Sequence, residues 1–229
     1  IVPEKLVSQI NQAAAEGSQE VVLTGTQLGT YGFDIPESSL VRLLERILAE
    51  TDIPRLRVSS LQPQEISPQL LQLWQDERLC PHFHVPLQSG SDTVLRQMRR
   101  RYDTAKYREA VDLIRATIPE VGITTDLIVG FPGEGAADFQ DSYEFATSMA
   151  FSNMHIFPYS TRPGTSATHL PDHTEEPEKK RRVALMMASA KQEFLAFRQH
   201  QFGQTRRVLW ESSRSKDGSG MWSGLTENY

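Results

Sequence analysis

At 229 residues, with 38% hydrophobic and 23% charged content, the chain is long enough for one medium-sized domain, or one domain and part of another, around a true core. No run approaches the ~20 consecutive apolar residues of a membrane span, the N-terminus Ile1-Val2-Pro3-Glu4-Lys5 lacks a basic region followed by an apolar core, and one cysteine, Cys80, makes neither an internal disulfide nor, by itself, a cluster or structural zinc site. A net charge of −5 argues against a dedicated nucleic-acid-binding domain, and the setting these features suggest is cytosolic.

Helix and strand alternate along the chain. A helix is expected from Pro3 to Glu16, with apolar residues at helical spacing and Gly17 as the stop. Val21-Val22-Leu23 reads as a strand buried on both faces, closing on Thr24-Gly25-Thr26. A Gly-rich loop, Leu28 to Gly32, leads to a helix over Leu40 to Ala49 with one apolar stripe. Leu56 to Ser60 is the second strand, Ser67-Pro68 starts a helix running to about Asp76, and His82 to Leu87 is the third strand. Helices follow over Ser91 to Met98 and Lys106 to Thr117, then a strand over Ile123 to Val129 ended by Gly130-Phe131-Pro132-Gly133. Ala137 to Ala150 is helical, Asn153 to Tyr159 a strand, Ser160 to His173 a polar loop, and Glu175 to about Gln201 a long amphipathic helix.

Five strands separated by helices imply right-handed βαβ crossovers and a parallel sheet, an open or partial (β/α) barrel of TIM type. After Phe202-Gly203 the character changes. Arg207 to Glu211 is strand-like, Ser215 to Gly220 is a turn-rich loop, and Trp222 to Tyr229 ends in what reads as mid-domain. So short a tail cannot hold a core alone, and it reads as the first strands of a small β domain or as an extension packing on the barrel. The expected division is therefore 1–203 and 204–229, and the missing initiator methionine suggests a piece of something longer.

Ligands of parallel α/β folds bind at the carboxyl ends of the strands. There the chain places Thr24-Gly25-Thr26-Gln27, Ser59-Ser60, Gln88-Ser89-Gly90-Ser91, Gly130 to Glu134, and Tyr159-Ser160 with Arg162 just beyond. Each fits ordinary turn chemistry; all five together fit it less well. Asp126 is a carboxylate inside an apolar strand, and a buried carboxylate needs a partner. Arginine or backbone donors would serve, and so would a ligand ammonium or hydroxyl. His82 and His84 point to one side of a strand, but no third ligand has convincing spacing, so no metal site is expected. The basic runs Arg96 to Arg101, Lys179 to Arg182 and Arg206-Arg207 read, each alone, as solvated faces. Gly-x-Ser-x-Gly and Gly-x-x-x-x-Gly-Lys-Ser/Thr loops are absent.

Taken together, Val22 to Gly32, Arg57-Val58-Ser59-Ser60, His84-Val85-Pro86-Leu87-Gln88-Ser89-Gly90-Ser91, Thr125 to Glu134, and Phe157-Pro158-Tyr159-Ser160 with Arg162-Pro163-Gly164-Thr165 resemble the radical S-adenosylmethionine methylthiotransferases over nearly the whole chain. Leu79 to His84, Met98 to Tyr102 and His155 to Tyr159 are most similar to the branch acting on N6-threonylcarbamoyladenosine beside the tRNA anticodon. The tail resembles the start of the RNA-binding TRAM β-barrel of that family.

The resemblance implies S-adenosylmethionine as cofactor, cleaved at one [4Fe-4S] cluster to a 5′-deoxyadenosyl radical that takes a hydrogen from an adenine carbon. A second cluster supplies sulfur, and another S-adenosylmethionine supplies methyl. It also implies the tRNA anticodon loop and external sulfur and electron donors as partners. Carried over by position, Thr24, Gly25 and Gln27 approach the methionine end of the cofactor, Gln88 and Ser89 lie near its ribose, Asp126, Ile128 and Gly130 line its sugar and adenine side, and Ser60 is a further cofactor-binding residue. Tyr159 and Arg162 face the substrate nucleotide. The chain departs from the family in lacking the Cys-x-x-x-Cys-x-x-Cys loop, the auxiliary-cluster cysteines and the first barrel strand. By itself it is therefore expected to be catalytically inactive and weak on tRNA. The alternatives are a sister enzyme acting on isopentenyladenosine or a ribosomal-protein aspartate, or a cluster-free binding scaffold.

Overall fold

The computed structural model describes residues 1–214 and 220–229. The chain forms two compact units, the first from Ile1–Phe83, Leu113–Gly122 and Gly203–Tyr229, the second from His84–Asp112 and Ile123–Phe202. The turn-rich stretch expected at 215–220 falls, apart from Gly220, outside the described residues.

In the first unit, α1 (Pro3–Ala15) starts on a proline, buries Pro3, Val7 and Ile10, and is followed by Gly17 at φ +93°. β1 (Glu20–Leu23) and β2 (Arg55–Val58) pair in parallel, with Glu20 opposite Arg55 and Leu23 opposite Val58. Between them α2 (Leu40–Glu50) is capped by Ser39, whose Oγ accepts the Arg42 N–H at 3.2 Å, and buries Leu40, Leu43, Leu44 and Ile47. After β2 comes the short α3 (Pro68–Gln72), capped by Ser67. A parallel bridge from Leu56 to Leu79 then carries the ladder past β2. The expectation that the first strand is buried on both faces is corrected: Leu23 is buried on one face while Val22, on the other, is 49% exposed. β6 (Val208–Arg214) and β7 (Met221–Thr226) form an antiparallel pair with an irregularity between Trp210 and Ser212. This hairpin groups with the first unit.

β3 (His82–His84) is half the expected length, since Pro81 and Pro86 flank it and proline cannot donate to a ladder. The residues after it still follow β4 (Gly122–Val129), through Val85 N–H to Thr124 O at 2.9 Å and Gln88 N–H to Asp126 O at 2.8 Å. β4 pairs in parallel with β5 (Asn153–Pro158), Asp126 opposite His155 and Ile128 opposite Phe157. Helices α4 (Asp92–Gln97), α5 (Thr104–Thr117) and α6 (Ala136–Ser148) cover the strands. Two tyrosines of this unit fasten the chain after β3. Tyr107 Oη donates to Val85 O at 2.7 Å and Tyr102 Oη to Pro86 O at 2.8 Å, and burial pushes the Tyr102 phenol up to about 12. The long helix α7 (Glu176–His200) packs on β5 and α6 through Arg182, Met186, Ser189 and Ala190. It is less cleanly amphipathic than its sequence suggests, for Leu185, Met187, Phe194 and Leu195 remain exposed.

Candidate functional site

The strand ends of the second unit enclose a cleft of about 430 Å³ lined by Gln88, Asp126, Ile128, Phe131, Phe157, Tyr159 and Arg162, among others. That volume is within the usual range for small-ligand pockets. Gln88 sits at φ +67°, a left-handed conformation that costs a non-glycine residue about 1–3 kcal/mol. Two backbone bonds hold it there, its N–H to Asp126 O and its carbonyl from Ile128 N–H at 2.9 Å. The side chain reaches the cleft as a result.

The next residues turn away. Ser89 is fully buried, its Oγ 3.0 Å from Ser142 Oγ and accepting Ser91 N–H at 3.2 Å. Gly90 donates to Ser142 Oγ at 2.5 Å, and a Cβ there would meet Phe145 and Ser142 at 2.8 Å. Ser91 caps α4 and donates to Asp138 at 2.7 Å. Ser89 thus belongs to the seam between this turn and α6, and does not line the cleft.

The end of β4 is held by a buried ion pair. Gly130, at φ +77°, donates its N–H to Glu134 Oε1 at 3.0 Å. Arg182 Nη1 donates to the same oxygen and to Glu134 O, both at 2.9 Å. Burial raises the Glu134 carboxyl, and the hydrogen bonds from Arg182 and Gly130 only partly offset it. Lys179 lies against Gly130 and donates from Nζ to Tyr159 O at 3.3 Å. Helix α7 therefore fixes the ends of both β4 and β5. The Tyr159 ring packs edge-on against Phe131, centroids 5.4 Å apart. Its Oη is buried and finds no hydrogen-bond partner among the described residues. The Arg162 carbonyl accepts from Thr165 and Thr168 hydroxyls at 2.8 and 2.9 Å, which orders the loop that carries it.

Asp126 takes a partner that the sequence did not suggest. Its Oδ2 lies 3.3 Å from His84 Nε2 and its Oδ1 3.2 Å from His155 Nδ1. One donor atom from each residue lies within 4.8 Å of the other two. Burial pushes the Asp126 carboxyl up, but the hydrogen bonds and charges of His84 and then His155 outweigh it, so the net shift is downward. The pair His82 and His84 offered no third ligand in the sequence; the structure instead brings His84 together with Asp126 and His155. The three residues are far apart in sequence but lie on neighbouring strands, and Asp126 and His155 are register partners. His82 does not join them. Its ring stacks on Tyr229 with centroids 4.6 Å apart.

In the first unit Thr24, Gly25, Thr26 and Gln27 line a separate cleft of about 660 Å³ with Leu28, Tyr31 and Ile35. Ser60 lies in neither cleft. Sequence reasoning also missed a buried charge cluster behind β1 and β2. Arg57 grips Glu20 through Nε to Oε1 at 2.9 Å and Nη2 to Oε2 at 3.2 Å, while Arg55 Nε approaches Oε2 at 2.8 Å. Both guanidinium groups also reach carbonyls of the tail, Arg55 to Leu225 and Thr226 and Arg57 to Thr226 and Glu227, at 3.2–3.4 Å. Two arginines at alternate positions opposite a glutamate were the available signal. Cys80 is 2% exposed nearby, and burial pushes its thiol up. One buried cysteine is not a donor set for a [4Fe-4S] cluster, so the residues of this chain do not fit that group.

Residues 1–146 match the family model described as the Radical SAM superfamily. The chain is 40% identical over 215 residues to the threonylcarbamoyladenosine tRNA methylthiotransferase MtaB of Thermotoga maritima, covering 93% of this chain and 49% of the relative. The Aquifex aeolicus protein of the same name is 40% identical over 99% of this chain and 53% of its own length. A tRNA-2-methylthio-N(6)-dimethylallyladenosine synthase of Caldicellulosiruptor saccharolyticus is 35% identical over 90% of this chain and 44% of its own. The chain thus spans about half the length of the curated relatives it matches. Among solved structures, coproporphyrinogen III oxidase from Escherichia coli superposes with TM-score 0.61 at 14% identity, over 83% of this chain and 46% of that one, a likeness of fold alone.

Proposed function

The chain belongs to the radical SAM superfamily, and we propose that it is the cofactor- and substrate-binding part of a tRNA methylthiotransferase acting on N6-threonylcarbamoyladenosine at position 37. The observation that carries the reading is the strand-end cleft, where Gln88, Asp126, Ile128, Tyr159 and Arg162 converge from three separate motifs. Asp126 and Arg162 give that cleft one acidic and one basic side chain beside the apolar Ile128 and Phe157, which suits a ligand with both polar and apolar parts.

S-adenosylmethionine, when bound, supplies the radical and the methyl group. The chain's own residues bind and orient. Gln88 offers its amide from a backbone fixed at positive φ, Ile128 and Phe157 give apolar walls to an adenosyl group, and Asp126 stays ionised between its two histidines. Tyr159 and Arg162 face the substrate nucleotide, the tyrosine as a hydroxyl donor and the arginine as a match for phosphate. Thr24, Gly25 and Gln27 serve the methionine end of the cofactor in this reading, and Gly130 shapes the sugar side. The [4Fe-4S] clusters require cysteines that this chain does not carry, and no step is assigned to them. The tail at 204–229 is assigned to a TRAM-type RNA-binding module, and the setting to the cytoplasm. Among the described residues no helix is long and apolar enough to cross a membrane.

Deleting the gene and digesting bulk tRNA to nucleosides tests the assignment. Loss of 2-methylthio-N6-threonylcarbamoyladenosine, with its unmethylthiolated precursor retained, is expected. Loss of the methylthiolated dimethylallyl nucleoside instead would move the chain to the sister activity named for the 35%-identical relative. If both nucleosides persist, the tRNA reading fails.

A further inference from the structure

We propose that His84, Asp126 and His155 form a binding site for a divalent first-row transition cation of the Zn²⁺ or Fe²⁺ kind. Two imidazoles and one carboxylate are a donor set suited to such ions. Metal bonds of about 2.0–2.2 Å place neighbouring donors about 2.8–3.6 Å apart in octahedral or tetrahedral geometry. The two histidine–aspartate separations, 3.3 Å to Oδ2 and 3.2 Å to Oδ1, fall in that range for an ion held by both oxygens of the carboxylate. The remaining separation, between the two imidazole nitrogens, is no more than 4.8 Å. A small rotation of His155, whose side chain is 44% exposed, closes it.

The groups around the histidines add a second line of argument. Histidines that bind metals have the other ring nitrogen held by an oxygen, which fixes the tautomer. His84 Nδ1 lies 3.0 Å from Thr124 Oγ1, so an Nδ1–H donated there leaves the Nε2 lone pair facing Asp126. His155 Nε2 lies 3.5 Å from the side-chain amide of Asn153. The amide oxygen and nitrogen are interchangeable by a flip, so Asn153 can accept Nε2–H and leave Nδ1 to the ion. The rings stack with centroids 5.9 Å apart, on either side of the carboxylate. Asp126 also lines the cleft, so coordination positions not taken by protein face open space. Three protein ligands with an open side mark a site that binds a water or ligand oxygen, in contrast to a closed structural site. The inference does not rest on methylthio transfer and survives if that reading fails.

The test is a titration of this 229-residue chain, without a polyhistidine tag, with Co²⁺ as a spectroscopic probe and Zn²⁺ as competitor. One equivalent of Co²⁺ should give a saturating visible d–d band that one equivalent of Zn²⁺ removes, and Zn²⁺ should raise the melting temperature. His155→Ala, at an exposed position, should abolish the band while leaving the circular dichroism unchanged, and Asp126→Asn should do the same. Thr124→Val should weaken binding about 10- to 100-fold. His169→Ala and His200→Ala, outside the cluster, should bind as the parent does. Absence of a saturating band overturns the proposal. So does a band that survives both His155→Ala and Asp126→Asn.

Discussion

Glu20 faces Arg55 and Arg57 with its side chain only 10% exposed. Burial pushes its carboxyl up, but the hydrogen bond and charge of Arg57, joined by Arg55, bring the net below the ordinary value of 4.5. A depressed folded pKa means that the pair stabilises the fold above about pH 4.5 and that this contribution is lost as pH falls through the folded value. Thermal melts across that range should show acid destabilisation in the parent and a flatter profile in Glu20→Gln, from a lower neutral plateau. Gly130 makes a second residue-scale case. Gly130→Ala would hold a Cβ at φ +77° against the Lys179 side chain, and should cost about 1–3 kcal/mol in urea unfolding. The sequence marked Gly130 as a strand terminator and Asp126 as a carboxylate needing a partner. It did not reveal that histidines from two other strands would supply that partner, because strand neighbours are set by pairing order and not by spacing along the chain.

At the scale of elements, α7 is anchored to β4 by Arg182 and Glu134, with side chains 6% and 1% exposed. Replacing one partner of such a pair leaves a buried charge and typically costs about 3–5 kcal/mol. Arg182→Met should therefore lower the urea midpoint at neutral pH. It should cost less in acid: the Glu134 carboxyl is already raised by burial, so stability is present when it is protonated and lost as pH rises through its folded pKa. Midpoints at about pH 5 and about pH 8 would check this, with the gap between variant and parent wider at the higher pH. Helix caps at Ser67 and Ser91 were legible at this scale, and Ser39 caps α2 in the same way. The inner strand limits were less so. Proline on both sides cut β3 to three residues, and β1 stops at Leu23, so Thr24 to Gln27 is a loop that lines a cleft.

At the scale of the molecule, the tail hairpin groups with the first unit, and carbonyls of residues 225–227 accept from Arg55 and Arg57. Hydrogen bonds to charged groups contribute about 1.5–3 kcal/mol each, so removing residues 204–229 should lower the melting temperature measurably and leave Arg55 and Arg57 with Glu20 as their remaining partner. The net charge of −5 sets a second expectation. An anticodon stem-loop should bind this chain weakly, with a shallow slope of log affinity against log salt, since few phosphates are neutralised. Alternating periodicities in the sequence determined the α/β class, since a helix and a strand each bury one face by a fixed repeat. Composition determined that one cysteine cannot hold a cluster, because thiolate ligands are counted and not folded into being. Tertiary structure alone decided which polar residues meet. Ser89 turns into the α6 seam, Arg55 and Arg57 close on the tail, and His84 and His155 flank Asp126, because each contact joins residues whose separation along the chain carries no information about their distance across adjacent strands.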